Sequence, residues 1–236
     1  MATLKKYNLN GEQIGEVSID DRLAEADTDG QLVKDYIVAL QKNKRQWSAS
    51  TKTRSEVRHT TRKCGPQKGS GNARHGADVA PQYRGGGRAH GPRPKVDMHV
   101  RINKKERRAA IAALLADKFY EESLFVLDST QMEQPRTKQI VSFLQKLEMQ
   151  GCRTLFVGEG LGFCCSEETA ASCGEAAGPL HEAFSKSVRN VPKSCFQTTS
   201  SLNGYDLLRA RFVVVTEAAV SQLEKWLCGQ PSTVEA

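Results

Sequence analysis

No apolar run in this sequence approaches the roughly 18 consecutive residues that a membrane-spanning helix needs. Its first ten residues also lack the apolar core of a secretory signal. These two absences weaken the case for a membrane partner and lead us to expect a cytoplasmic protein. Paired Cys-x-x-Cys spacing is missing as well. The seven cysteines, Cys64, Cys152, Cys164, Cys165, Cys173, Cys195 and Cys228, are scattered and odd in number. That argues against zinc-ribbon and redox-dithiol patterns and predicts reduced thiols, mostly buried. Aromatic residues make up only 6% of the chain, too few for a sheet module that reads RNA by stacking bases. Acidic residues are outnumbered, 27 against 34 basic ones, and the formal charge of +7 calls for an acidic partner.

Catalytic vocabulary is equally thin, because no serine, histidine and carboxylate stand out as a catalytic set. Gly158, Gly160 and Gly162 follow a predicted strand, but a dinucleotide fingerprint would need glycine at Phe163. No Lys-Ser or Lys-Thr pair completes a phosphate loop there, so a plain strand-to-helix turn is the better reading. Gly69-Ser70-Gly71 neither follows a strand nor opens a helix, which suits a hinge better than a phosphate cradle. His59, Cys64 and His75 lie close in sequence, yet their spacing matches no common zinc pattern. We therefore expect no enzyme, no cofactor, no metal and no small-molecule substrate.

What the chain does have is positive charge in one place. Residues 44–101 contain fourteen basic residues: Lys44, Arg45, Lys52, Arg54, Arg58, Arg62, Lys63, Lys68, Arg74, Arg84, Arg88, Arg93, Lys95 and Arg101. Only Glu56, Asp78 and Asp97 oppose them, which gives the segment +11 and leaves the rest at −4, with 20 basic and 24 acidic residues. A solvated surface would spread such charge, whereas a phosphate-binding element concentrates it. The segment also holds eight glycines, four prolines and four of the five histidines. Its few large apolar residues, among them Trp47, Val57, Val79 and Tyr83, follow neither helical nor strand periodicity. Such a segment cannot build a core of its own, and disorder in the absence of a partner is expected. Glycine lets the backbone approach phosphates closely, arginine forks across phosphate oxygens, and Trp47, Tyr83 and the histidines could either stack on bases or pack. If the segment leaves and rejoins the domain, each limb of about 29 residues reaches at most about 95 Å.

On either side the pattern is that of an α/β domain. Helices are predicted over 30–42, from the recurrence of Leu32, Val33, Tyr36, Ile37 and Leu40, and over 103–119, with Asn103 as its cap. Further along, strands are expected at 124–127, 154–157, 195–198 and 212–215, and helices at 137–149, around 180–188 and at 217–227. The runs Leu124-Phe125-Val126-Leu127 and Phe212-Val213-Val214-Val215 suit a parallel sheet covered on both faces. The expectation is a Rossmann-like three-layer α/β domain formed by 1–43 and 102–236, with a mainly parallel sheet. A long extended basic loop, 44–101, interrupts it.

Within the loop are Arg45-Gln46, then Lys52-Thr53-Arg54-Ser55-Glu56-Val57, then Gln67-Lys68-Gly69-Ser70-Gly71-Asn72-Ala73-Arg74, then Arg84-Gly85-Gly86-Gly87. Asn103-Lys104-Lys105 closes the series. In this order and spacing they resemble the bacterial large-ribosomal-subunit protein four family, specifically over 40–119 and more loosely beyond. The resemblance implies a structural ribosomal protein whose globular domain sits on the outside of the large subunit and which acts early in assembly. It implies that the loop threads into large-subunit ribosomal RNA, with the fourteen cations together with Lys104 and Lys105 as contacts. The tip, near 62–74, would help line the nascent-peptide exit tunnel beside ribosomal protein twenty-two, through Cys64, Gly65, Pro66, Gln67, Lys68, Gly69, Ser70, Gly71 and Asn72. Where the family commonly has a proline, an aromatic and a basic residue, this chain has Cys64, Gly65 and Pro66, and Asn72 stands where arginine is frequent. The implied tip is thus less bulky and less positive. Two other classes remain as alternatives: a nucleotide-dependent α/β enzyme acting on RNA, and a free regulatory RNA-binding protein.

Overall fold

The computed structural model describes residues 2–94, 98–160 and 181–229. Its first two strands, β1 (Ala2–Tyr7) and β2 (Gln13–Ile19), form an antiparallel hairpin. The turn is closed by Asn8, whose side chain accepts from the Glu12 amide at 2.9 Å and donates to the Glu12 carboxylate at 2.9 Å. Gly11 takes the left-handed φ of 78° that the turn demands. A short helix α1 (Asp21–Ala24) follows, and then α2 (Gly30–Asn43) and α3 (Lys104–Tyr120) bracket the basic segment.

From there strand and helix alternate: β3 (Leu124–Leu127), α4 (Thr137–Lys146), β4 (Thr154–Gly158), α5 (Glu182–Arg189), β5 (Ser194–Thr198), α6 (Gly204–Arg209), β6 (Phe212–Thr216) and α7 (Glu217–Leu227). The six strands run in the order β2-β1-β3-β6-β4-β5, and every pair except β1 with β2 is parallel. The α/β class and the mainly parallel sheet agree with expectation. The hairpin does not appear in the apolar pattern, because β2 is mostly exposed and β1 carries two lysines.

Both faces of the central strands are buried, and residue parity decides which side each chain atom serves. Leu124, Val126, Leu155, Val157, Val213 and Val215 join one cluster, with Tyr36 of α2, Ile111 and Leu114 of α3, Leu207 of α6 and Leu223 of α7. Leu127, Phe156 and Val214 join the other, with Ile140 and Phe143 of α4 and Phe184 and Val188 of α5. Continuous apolar strands are therefore explained by helices on both sides.

Three details depart from the sequence expectations. Helix α4 stops at Lys146 rather than 149, because Glu148 turns left-handed at φ 54° and the buried Met149 folds back, its amide donating to Leu144 O at 2.9 Å. Asn103 occupies the N-cap position of α3, its carbonyl accepting from the Arg107 amide at 3.0 Å, but its side chain makes no bond to the helix backbone; its Nδ2 donates to Glu106 Oε1 at 2.7 Å. The described cysteines are not buried: Cys64 and Cys195 are exposed, and Cys152 and Cys228 partly so. Cys64 lies in the basic segment, and of the others only Cys228 packs against a core cluster, from its rim. Cys164, Cys165, Cys173 and Gly162 fall outside the described residues, as do Leu180, with which the expected 180–188 helix begins, and most of 158–178. Among the described residues no helix is long and apolar enough to cross a membrane.

Candidate nucleic-acid interface

The chain divides into two compact units, Met1–Leu40 with Arg101–Ala236, and Gln41–Val100. Among its described residues the second unit contains no helix after α2 ends, and its only strand pairing is an isolated antiparallel bridge between Lys63 and Ala77. Its two limbs are nevertheless joined by hydrogen bonds. At the base, Asn43 Nδ2 donates to Val100 O at 3.1 Å and the Val100 amide donates back to Asn43 Oδ1 at 2.9 Å. Further out, the Thr51 amide donates to Pro92 O at 3.1 Å and the Arg88 amide to Lys52 O at 2.9 Å. Near the tip the Cys64 amide donates to Gly76 O at 3.1 Å.

Glycine permits two close approaches, one between the limbs and one within a local turn. A Cβ on Gly87 would lie 2.2 Å from the Arg54 backbone nitrogen, and one on Gly86 would lie 2.1 Å from Ala80 O. The Gly87 amide donates to Val79 O at 2.9 Å, and Val79 is the one buried apolar side chain among the unit's described residues. The missing core is thus replaced by cross-limb hydrogen bonds, which apolar periodicity could not reveal.

Glu56 is the side chain that the sequence reading passed over. Its Oε2 accepts from the Thr53 amide at 3.0 Å, and its Oε1 accepts from Arg93 Nη1 at 2.7 Å, so one carboxylate ties a turn in the first limb to the second. The Thr53-x-x-Glu56 spacing is that of a capping box, the signal that could have found it. The Arg93 guanidinium, followed by the Thr53 amide, holds the Glu56 carboxyl below the usual carboxylate range. The other described carboxylate, Asp78, accepts from Cys64 Sγ at 2.6 Å, and this bond raises the thiol above the usual cysteine value.

With both described acids engaged inside the segment, the cations face outward. Lys44, Arg45, Lys52, Arg54, Arg58, Arg62, Lys63, Lys68, Arg74, Arg84, Arg88, Arg93 and Arg101 are all exposed, and Lys95 lies outside the described residues. Lys104 and Lys105 are exposed in the first turn of α3, where the helix dipole disfavours a cation and an external anion would relieve it. Every residue of 58–76 is exposed, with left-handed φ at Gly69 (87°) and Gly71 (66°). Lys63 hydrogen-bonds Gln67. The Arg45 guanidinium lies 5.3 Å from the centre of the Trp47 ring, and the His75 and Tyr83 rings are 5.7 Å apart, so both aromatic residues have packing partners. Among the described residues no three His, Cys, Asp or Glu side chains converge as metal ligands.

The other place where phosphate chemistry could be sought is the turn after β4. There the Gly160 amide already donates to Thr199 Oγ1 at 3.2 Å and Gln222 Oε1 at 3.1 Å. The residues following β3, β4 and β6 are Asp128, Glu159 and Glu217, so that edge of the sheet carries acids, two of which, Asp128 and Glu217, pair with Lys6.

Comparison with known proteins agrees with the basic segment rather than with that turn. Residues 17–226 match the model of the Ribosomal protein L4/L1 family. Large ribosomal subunit protein uL4 of Lachnospira eligens is 31% identical over 225 residues, covering 95% of this chain and 98% of the relative. The protein of the same name from Petrotoga mobilis is 32% identical over 235 residues, with 95% and 99% covered. That from Carboxydothermus hydrogenoformans is 33% identical over 225 residues, again covering 95% and 99%. Because the match runs through the sheet and the basic segment alike, the chain belongs to the Ribosomal protein L4/L1 family, whose members are structural proteins of the ribosome and not enzymes.

Proposed function

We propose that this protein is a structural constituent of the large ribosomal subunit in the cytoplasm, bound to its ribosomal RNA chiefly through 44–101 and supporting early subunit assembly. The reading takes the fold as a Rossmann-like three-layer domain carrying an extended loop. The tip, near 62–74, lies along the nascent-peptide exit tunnel beside ribosomal protein twenty-two, where Cys64, Gly65, Pro66 and Asn72 make the surface less bulky and less cationic. The observation that carries it is the outward set of cations, with both described carboxylates of the segment already engaged within it. Each exposed cation that meets a phosphate releases counterions, so affinity for RNA must fall steeply with salt.

The test is the salt dependence of binding to large-subunit ribosomal RNA transcribed in vitro. Parent protein should show a steep log–log slope, and changing Arg54, Arg58, Arg84 and Arg88 to Gln should flatten it by about 3, at roughly 0.7 to 0.9 per lost contact. Unchanged slope in that variant would defeat the reading. Stoichiometric co-sedimentation with large subunits separates a subunit constituent from a free regulatory binder.

A further inference from the structure

Outside the basic segment, the register of the sheet gathers a second group of cations. Thr154, at the start of β4, pairs with Ser194 of β5 on one side and Phe212 of β6 on the other. The residues just before these three are Arg153, Lys193 and Arg211, so they stand abreast where the strands begin. Backbone bonds fix the alignment: the Arg211 and Phe212 amides donate to Arg153 O at 2.8 and 3.2 Å, and the Thr154 amide donates to Lys193 O at 3.1 Å. Neighbouring strands lie about 4.8 Å apart, so the row spans about 10 Å. Arg209, at the end of α6, joins it.

All four cations are exposed. An open cleft of about 190 Å³ is lined by Arg153, Lys193 and Arg209, with Ser194, Cys195 and Asp206 among the others. Its one carboxylate, Asp206, accepts from Gln197 Nε2 at 2.6 Å. Among the described residues none of the four cations is within ion-pair distance of an acid. Lys193 Nζ donates to Gly151 O at 2.8 Å, and the Arg211 guanidinium lies 5.5 Å from the centre of the Phe212 ring. The opposite ends of the strands carry Asp128, Glu159 and Glu217, and the chain outside 44–101 is net acidic. A row of like charges with no described acid within ion-pair distance repels itself, and an external polyanion removes that repulsion.

We propose that this edge of the sheet is a second phosphate-binding surface, which takes the sugar-phosphate backbone of an RNA strand separately from 44–101. The inference rests on RNA being the partner, as proposed above. A linear row suits successive phosphates of a strand, and the cleft beside it admits one of them between Arg153, Lys193 and Arg209.

The experiment is the same salt titration on full-length protein carrying Arg153→Gln, Lys193→Gln and Arg211→Gln. The slope should flatten by about 2 to 3, at roughly 0.7 to 0.9 per lost phosphate contact, with thermal unfolding unchanged. If the triple variant folds poorly, Lys193→Gln alone should flatten the slope by roughly 0.7 to 0.9. A slope equal to the parent's in a folded variant overturns the inference. So does stabilisation of the parent, but not of the variant, by inorganic phosphate when their RNA slopes are equal, for that marks a small-anion site. The loop variant keeps the two readings distinguishable: its failure to change the slope removes the loop from RNA binding whatever the sheet-edge variant does.

Discussion

Phe156 and Arg54 illustrate how differently the two units are held. Phe156 is 2% exposed and sits between the rings of Phe143 and Phe184, at centroid distances of 6.3 and 5.4 Å. Arg54 is exposed, and what holds it is its backbone lying against Gly87. In the globular unit the side chains supply the stability, at about 1.5–3 kcal/mol for each large apolar group buried. In the Gln41–Val100 unit the stability comes from cross-limb hydrogen bonds, each worth about 0.5–1.5 kcal/mol net. The difference suits the proposed function: a unit fastened largely through its backbone keeps its described cationic side chains exposed, Arg93 included although it pairs with Glu56. It also makes that unit the weaker of the two.

The comparison is most sharply broken by removing a core ring. Phe156→Ala should cost about 3–5 kcal/mol, which lowers the unfolding temperature by about 6–20 °C. A fall of only a degree or two would mean that the cluster of Phe143, Phe156 and Phe184 does not carry the globular unit. Matched glycine substitutions come next. In Gly204→Ala the new Cβ meets Tyr36 Cε1 at 2.5 Å within the core, so about 1–3 kcal/mol of stability should be lost. In Gly87→Ala the Cβ meets the Arg54 backbone at 2.2 Å, and the limbs must part. We expect an RNA affinity lower by about tenfold, equivalent to about 1.4 kcal/mol, with the unfolding temperature scarcely changed. If Gly87→Ala binds RNA as the parent does, the close approach of the limbs is irrelevant to binding.

How much of this was legible in the sequence follows the same division. Leu124–Leu127 and Phe212–Thr216 could be read because both faces of a buried parallel strand are apolar, and Glu217–Leu227 because its stripe has helical period. The hairpin could not: Ile14 is 56% exposed, Lys5 and Lys6 interrupt β1, and an edge ribbon needs little apolar pattern. Helix α6 has six residues, too few to show a period. In the loop the charge was visible and the pairing was not, because Asn43 meets Val100 and Arg54 meets Gly87 across intervals that no local spacing encodes. The row of Arg153, Lys193 and Arg211 is likewise invisible until the strands are in register.

Glu56 gives the smallest and most local test of how the loop unit is held. Its carboxylate ties the Thr53 turn to Arg93, and both partners favour the charged form. Because its folded pKa lies below the unfolded one, the stabilisation is complete above about pH 4.3, the ordinary glutamate value. It is lost as the pH falls through the depressed value. The Thr53 amide resonance should therefore titrate with a midpoint below the ordinary range, and in Glu56→Gln that titration should vanish. Removing the charge should also raise amide exchange at Thr53 several-fold and no more, since an exposed pair is screened by water. The core amides of Val213 and Val215 should be untouched. A Thr53 midpoint at the ordinary value would show that Arg93 does not hold Glu56, and the clasp between the limbs would then rest on backbone bonds alone.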